Sequence, residues 1–164
     1  MRHLAIVRHG EAAPGAPDAE RTLTSRGHDE ASGAAAWIGE RPELAGARVW
    51  ASPLHRAQQT AGVIAAALGV TVETVAGLTP EDDPQTLVER FLIDEPAQPV
   101  ILISHMPFVG ELTGRLVEGR SSGIAFPTAG VALLDADVWA AGCATLNAFV
   151  GPPYDPASRH DASP

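Results

Sequence analysis

The chain has 164 residues, 45% of them hydrophobic but only 5% aromatic, and carries a formal net charge of −9. That length suits one domain with a single core, since folding at this size buries roughly 70% of the extended-chain surface without a disulfide or metal staple. The acidic balance excludes nucleic-acid binding, which needs a basic face, and no apolar run approaches the roughly 20 residues needed to cross a bilayer.

Near the N-terminus, Leu4-Ala5-Ile6-Val7 is a short apolar run stopped by Arg8-His9-Gly10. It reads as a buried strand that delivers an arginine and a histidine to its carboxyl end. A polar loop rich in Ala, Pro and Gly follows over 12–19. A helix then opens at Leu23-Thr24-Ser25, with Thr24 or Ser25 as N-cap, and runs to about residue 40, where Pro42 closes it. Residues 48–51 form the second strand, ended by Ser52-Pro53. A helix over 54–68 stops at Gly69. The third strand covers 70–75, and a short amphipathic helix covers 84–93 with Asp83 before Pro84 as its N-cap. Val100-Ile101-Leu102-Ile103 reads as a central parallel strand, four apolar residues and mostly β-branched. Pro107 at a first helical position begins a helix to about residue 117. Strands over 131–134 and 144–150 close the domain, and 151–164 is a Pro-rich, polar tail expected to be disordered.

Strands alternating with helices imply an α/β fold with three layers, α/β/α. Its central sheet is mostly parallel and carries an antiparallel edge. The domain spans 1–150. Cys143 is the only cysteine, so no intrachain disulfide forms, and with no charged-then-apolar leader the expected setting is cytoplasmic. No His-Glu-x-x-His, Cys-x-x-Cys or phosphate-cradling glycine loop occurs, so no metal or other cofactor is expected.

Three strands end in ionisable residues: Arg8-His9 after the first, His55-Arg56 after the second, His105 after the fourth. In a parallel sheet these carboxyl ends share one rim, where ligands bind. Arg56 sits in the first turn of a helix, where a cation opposes the helix dipole, an odd place for a mere surface residue. His55 points about 100° away from it and reads as structural, while His3, His28 and His160 read as solvated. Phosphoryl transfer through a covalent intermediate needs a neutral imidazole nitrogen and planar cations that grip the equatorial oxygens in pairs. His9 as nucleophile, with Arg8, Arg56 and a donating His105, supplies that set without metal. A poor leaving group would also need a positioned general acid.

Arg8-His9-Gly10-Glu11, the stretch from Ser52 to Thr60, and Ile103-Ser104-His105-Met106-Pro107 together resemble the histidine phosphatase superfamily, the phosphoglycerate mutase-like fold. The match is closest to its small SixA-type phosphohistidine phosphatases, to which Arg21-Thr22-Leu23-Thr24-Ser25-Arg26-Gly27 and Leu78-Thr79-Pro80 are also similar. The resemblance implies that His9 forms phosphohistidine and that Arg8, Arg56 and His105 bind the transferred phosphoryl group. It places Arg21 beside the phosphate as a further binding residue, and leaves Gly10, Ser52 and Thr60 to shape turns and packing. Mutases and many phosphoesterases of the family carry a general acid after the third strand. Glu81 is the best candidate here and Glu11 a second, against the reading of 81–83 as a solvated acidic run.

The function so implied is metal-independent dephosphorylation of phosphohistidine on a partner protein, a phosphotransfer or phosphocarrier domain; with no evident exposed apolar stripe, a monomer is expected. The short loops at 12–19 and 119–129 leave little room for a lid and suit a side chain presented by another protein. One alternative is a phosphatase of small phosphoesters. Another is a non-catalytic phosphate- or partner-binding domain, against which the intact nucleophile counts.

Overall fold

The computed structural model describes residues 1–93 and 98–154. Six strands form one sheet: β1 (Arg2–Arg8), β2 (Arg48–Ala51), β3 (Val72–Thr74), β4 (Val100–Ser104), β5 (Val131–Ala136) and β6 (Thr145–Val150). Their order is β3-β2-β4-β1-β5-β6, with β3, β2, β4 and β1 parallel and β5 and β6 added antiparallel at one side. The helices are α1 (Ser25–Gly39), α2 (His55–Leu68), α3 (Pro84–Leu87) and α4 (Phe108–Glu118).

The alternation of side chains along a strand explains the three layers. Leu4 and Ile6 of β1, with Val100 and Leu102 of β4, face a core built with Phe108, Leu112 and Leu116 of α4 and Leu87 of α3. Ala5, Val7, Ile101 and Ile103 face the other way, onto Ala34 and Ile38 of α1 and Ala57, Ala61 and Ile64 of α2. β4 is buried along its whole length, as its run of four apolar residues requires in a strand covered on both faces. The small alanines of α1 and α2 let these helices lie close to the sheet and to each other.

Local signals hold with shifts of a residue or two. Thr24 is the N-cap of α1 and its hydroxyl accepts from the Gly27 N–H. Gly69 ends α2 in the left-handed region, at φ 70°. Asp83 caps α3 by accepting from the Gln85 N–H. The helix expected over 84–93 is α-helical only for its first turn; Val88–Leu92 widens into a π-turn in which the Ile93 N–H donates to the Val88 carbonyl. Leu87, Val88 and Leu92 are all buried by that arrangement. Pro107 is the N-cap of α4 rather than its first residue.

Two expectations are corrected. The tail was expected from 151, yet Tyr154 packs against the domain: its hydroxyl lies 2.6 Å from the Ala129 carbonyl and 3.2 Å from that of Glu30. The rest of that segment, 155–164, lies outside the described residues, as does His160. His3 is half-buried on β1 opposite Asp135, with a buried Nδ1, and not solvated. Among the described residues, no helix is long and apolar enough to cross a membrane.

Candidate active site

β1, β4 and β2 are neighbours in the sheet, so their carboxyl ends lie side by side. Register carries this to the residues beyond them: Arg8 pairs with Ser104, the His9 N–H donates to the Ser104 carbonyl at 3.0 Å, and the Ser52 N–H donates to the Ile103 carbonyl at 3.1 Å. On its other side the end of β1 is held by the turn before β5, where the Ala129 N–H donates to the His9 carbonyl at 3.0 Å. His9 is thus fixed by backbone bonds from two neighbours, and its ring centroid stands 5.0 Å from that of His105.

His9 is 8% exposed and His105 2%. The Nδ1 of His9 lies 2.7 Å from the Gly10 carbonyl oxygen. A carbonyl can only accept, so Nδ1 carries the proton and Nε2 keeps its lone pair. Burial pushes the ring down to about 4; the bond to Gly10 opposes this, and the guanidiniums of Arg56, Arg8 and Arg21 add to it through space. His105 is pushed down to about 3, by burial first and then by His9 and Arg56. Both rings are therefore neutral at physiological pH. Nε2 of His105 lies 2.8 Å from the Ser52 hydroxyl, which accepts from the Leu54 N–H. That hydroxyl can give its own proton to Nε2, and in the tautomer so formed Nδ1–H of His105 is a buried donor without a protein partner.

Three arginines complete the site. Arg8 donates from Nη1 to the Phe126 carbonyl at 2.7 Å and has its buried Nε unpartnered. Burial lowers its pKa, with the Glu30 carboxylate opposing the shift. Arg56, 5% exposed in the first turn of α2, donates from Nη1 and Nη2 to the carbonyl and carboxylate of Asp18. Arg21 donates from Nε to the Ala13 carbonyl and from Nη1 to the same carboxylate. A neutral imidazole nitrogen among three planar cations, with unpartnered donors on Arg8 and His105, can attack a phosphoryl phosphorus and hold the charge that develops on its oxygens.

The residues singled out in the sequence as catalytic or phosphate-binding, Arg8, His9, Arg21, Arg56 and His105, meet here. Glu11 turns elsewhere: its carboxylate accepts from the Thr24 hydroxyl at 2.9 Å and stands 3.9 Å from Arg26. Glu81 is exposed, and so is His55, on the far side of Arg56. Thr60 accepts from the Gly10 N–H and donates to the Arg56 carbonyl, which links the loop after β1 to the first turn of α2. Ser52, read from sequence as shaping a turn, also holds the His105 ring through its hydroxyl. Asp18 was not singled out, although an acid three residues before Arg21 in a short loop was a usable signal. Among the described residues, no three His, Cys, Asp or Glu side chains converge as a metal-ligand set would.

Residues 4–80 match the family described as histidine phosphatase superfamily (branch 1). The chain is 36% identical over 139 residues to phosphohistidine phosphatase SixA of Escherichia coli (strain K12), covering 80% of this chain and 84% of that protein. It is 30% identical over 143 residues to a SixA homolog of Haemophilus influenzae, covering 80% and 87%. In three dimensions it is similar to the protein histidine phosphatase SixA complexed with tungstate, with a TM-score of 0.80, 33% identity and coverage of 92% and 97% of the two chains.

Proposed function

The chain belongs to the histidine phosphatase superfamily, and from that premise we propose that it is a phosphatase that removes phosphoryl groups from phosphohistidine on a partner protein, using His9 as nucleophile. The observation that carries the reading is the bond from His9 Nδ1–H to the Gly10 carbonyl, which leaves Nε2 unprotonated among Arg8, Arg21 and Arg56.

The His9 Nε2 lone pair forms a bond to phosphorus as the P–N bond of the substrate breaks. The departing imidazole takes the bonding pair and, with it, a proton from solvent. Water then attacks the phosphorus of phospho-His9 and gives up a proton to solvent, the new P–N bond breaks back to Nε2, and phosphate leaves. Arg8, Arg56 and Arg21 grip the equatorial oxygens, and His105 Nδ1–H donates to one of them. Imidazole leaves readily from a phosphoramidate, so this substrate needs no carboxylic acid to protonate its leaving group. An alkoxide would be harder to expel. The enzyme of this proposal acts as a cytoplasmic monomer, with a catalytic domain that reaches at least to Tyr154.

The test is phosphate release, in the presence of EDTA, from a phosphohistidine-bearing phosphotransfer domain and in parallel from para-nitrophenyl phosphate. Fast release from the phosphoprotein that disappears in His9→Ala supports the reading. Undiminished release by His9→Ala overturns it.

A further inference from the structure

Arg56 and Arg21 reach the site from separate parts of the chain, one from α2 and one from the loop after β1. Two guanidiniums converging on one anion repel each other unless something holds them. Oδ1 of Asp18 accepts from Nη1 of Arg21 at 3.0 Å, and Oδ2 accepts from Nη2 of Arg56 at 3.1 Å. The Asp18 backbone carbonyl accepts from Nη1 of Arg56 at 2.9 Å and from the Arg21 N–H at 3.2 Å. Asp18 itself opens a short 3-10 turn, Asp18–Glu20, closed by the Glu20 N–H on the Pro17 carbonyl. One residue, by side chain and main chain together, thus fixes both arginines.

The donor inventory shows that this grip is compatible with catalysis. Arg56 has five N–H groups and gives two to Asp18; Arg21 gives one to Asp18 and one to Ala13. Each keeps three for a phosphoryl oxygen. The carboxylate is exposed while Arg56 is buried, with side-chain exposures of 61% and 6%, so Asp18 adds little to the core. Its bonds to the two arginines hold its carboxyl below the usual carboxylate range, so it stays ionised.

We propose that Asp18 is the positioning residue of the phosphoryl clamp: its carboxylate ties the loop-borne Arg21 to the helix-borne Arg56 and reduces the clamp from three positive charges to a net two, matching a phosphoryl dianion. The inference rests on the phosphatase reading above, and the experiment separates the two.

Wild type, Asp18→Ala, Asp18→Asn, Arg21→Ala and the double variant Asp18→Ala/Arg21→Ala are compared for kcat and KM on the phosphohistidine protein. Orthovanadate binding is measured by calorimetry, which needs no turnover, and thermal melts follow folding. Asp18→Ala is expected to lower kcat/KM about 10- to 100-fold, the scale of one charge-assisted hydrogen bond, and to weaken vanadate binding with its melting temperature unchanged. Asp18→Asn, which keeps an acceptor, recovers part of the loss. The double variant falls short of the product of the single losses, because both act on the same clamp. Tighter vanadate binding by Asp18→Ala would make the carboxylate a competitor of the phosphoryl group and overturn the proposal. Losses that simply multiply, or an Asp18→Ala enzyme as good as wild type, would overturn it too. A wild type inert on the phosphoprotein fails the phosphatase reading, while the vanadate arm still decides the role of Asp18.

Discussion

His9 gives its Nδ1 proton to the carbonyl of Gly10, the next residue, at 2.7 Å. The contact fixes the tautomer, the ring orientation and the position of Nε2 at once. It depends on the path of the backbone at Gly10, and that path is crowded by the first turn of α1. A Cβ on Gly10 would stand 2.6 Å from the Gly27 carbonyl oxygen, and one on Gly27 would collide with the Glu11 carbonyl. The glycines let the nucleophile loop and α1 touch backbone to backbone.

Gly10→Ala must therefore push the nucleophile loop off α1. Overpacking of this kind costs about 1–3 kcal/mol, read as a lower midpoint in denaturant. Turnover should fall by more than the stability loss explains, because a displacement near 1 Å of reacting groups can cost about 100-fold. A variant with full turnover would show that the Gly10 carbonyl does not orient His9.

The depressed values of His9 and His105 set the pH behaviour. Both rings lie below the ordinary 6.5, at about 4 and about 3. As the pH falls the unfolded chain binds these protons first, so the stability of the fold is full above about 6.5 and is lost progressively as the pH drops toward the folded-state values. Each unit of difference corresponds to about 1.4 kcal/mol. Melts between pH 7 and 4 should show a falling midpoint that flattens in His9→Asn. Because Nε2 stays unprotonated down to about 4, the acid limb of kcat/KM should lie well below the 6.5 of a free imidazole; a limb at 6.5 would contradict the neutral, buried nucleophile.

Local patterns made much of this fold legible. Four consecutive apolar residues before Ser104 predict a strand buried on both faces, and Gly69 predicts the end of α2; both signals act within a few residues. The meeting of Arg8, His9, Arg56 and His105 was also readable, because strand ends on one rim must converge. What local sequence does not carry is the pairing of distant side chains. Ser52 finds His105 across 53 positions and Arg56 finds Asp18 across 38. The switch to a π-turn at Val88 was equally hidden, since it depends on burying Leu87, Val88 and Leu92 in one core.

Arg56→Lys tests whether the clamp needs planar geometry or only charge. Arg56 gives two donors to Asp18 and keeps three, a division that a lysine ammonium cannot reproduce from one point. Losing a donor aimed at developing charge costs about 10²–10³ in kcat, and Arg56→Lys should come closer to Arg56→Ala than to wild type in steady-state assays. Recovery to wild-type rates by lysine would reduce Arg56 to a simple counter-charge.

Tyr154 joins the end of the described chain to the turn that holds His9. Its hydroxyl contacts the Ala129 and Glu30 carbonyls, and the Ala129 N–H in turn donates to the His9 carbonyl. Burial raises the phenol's pKa, so it stays a donor across the physiological range. Tyr154→Phe removes one net hydrogen bond, about 1 kcal/mol, and should lower the melting temperature by a few degrees (~2–4 °C per kcal/mol at this chain length) while leaving KM unchanged. A raised KM would mean that the Ala129 turn transmits strain to the site.

Glu81 is exposed in the turn before α3, whereas Asp82 beside it is occupied, accepting from the Thr79 N–H and hydroxyl at 2.8 and 2.7 Å. A general acid must hold a proton within hydrogen-bond reach of the leaving atom. A departing imidazole does not need that proton from the enzyme; a departing alkoxide does. Glu81→Gln should therefore leave phosphohistidine hydrolysis within about twofold of wild type, well under the 10²–10⁴-fold contribution of a working general acid. Release from para-nitrophenyl phosphate, whose phenolate also leaves without help, should be equally indifferent. The informative substrate is an alkyl phosphate: slow turnover that does not change in Glu81→Gln fits an enzyme built for phosphoramidates. Efficient turnover abolished by the same substitution would make Glu81 the acid of a phosphoester hydrolase.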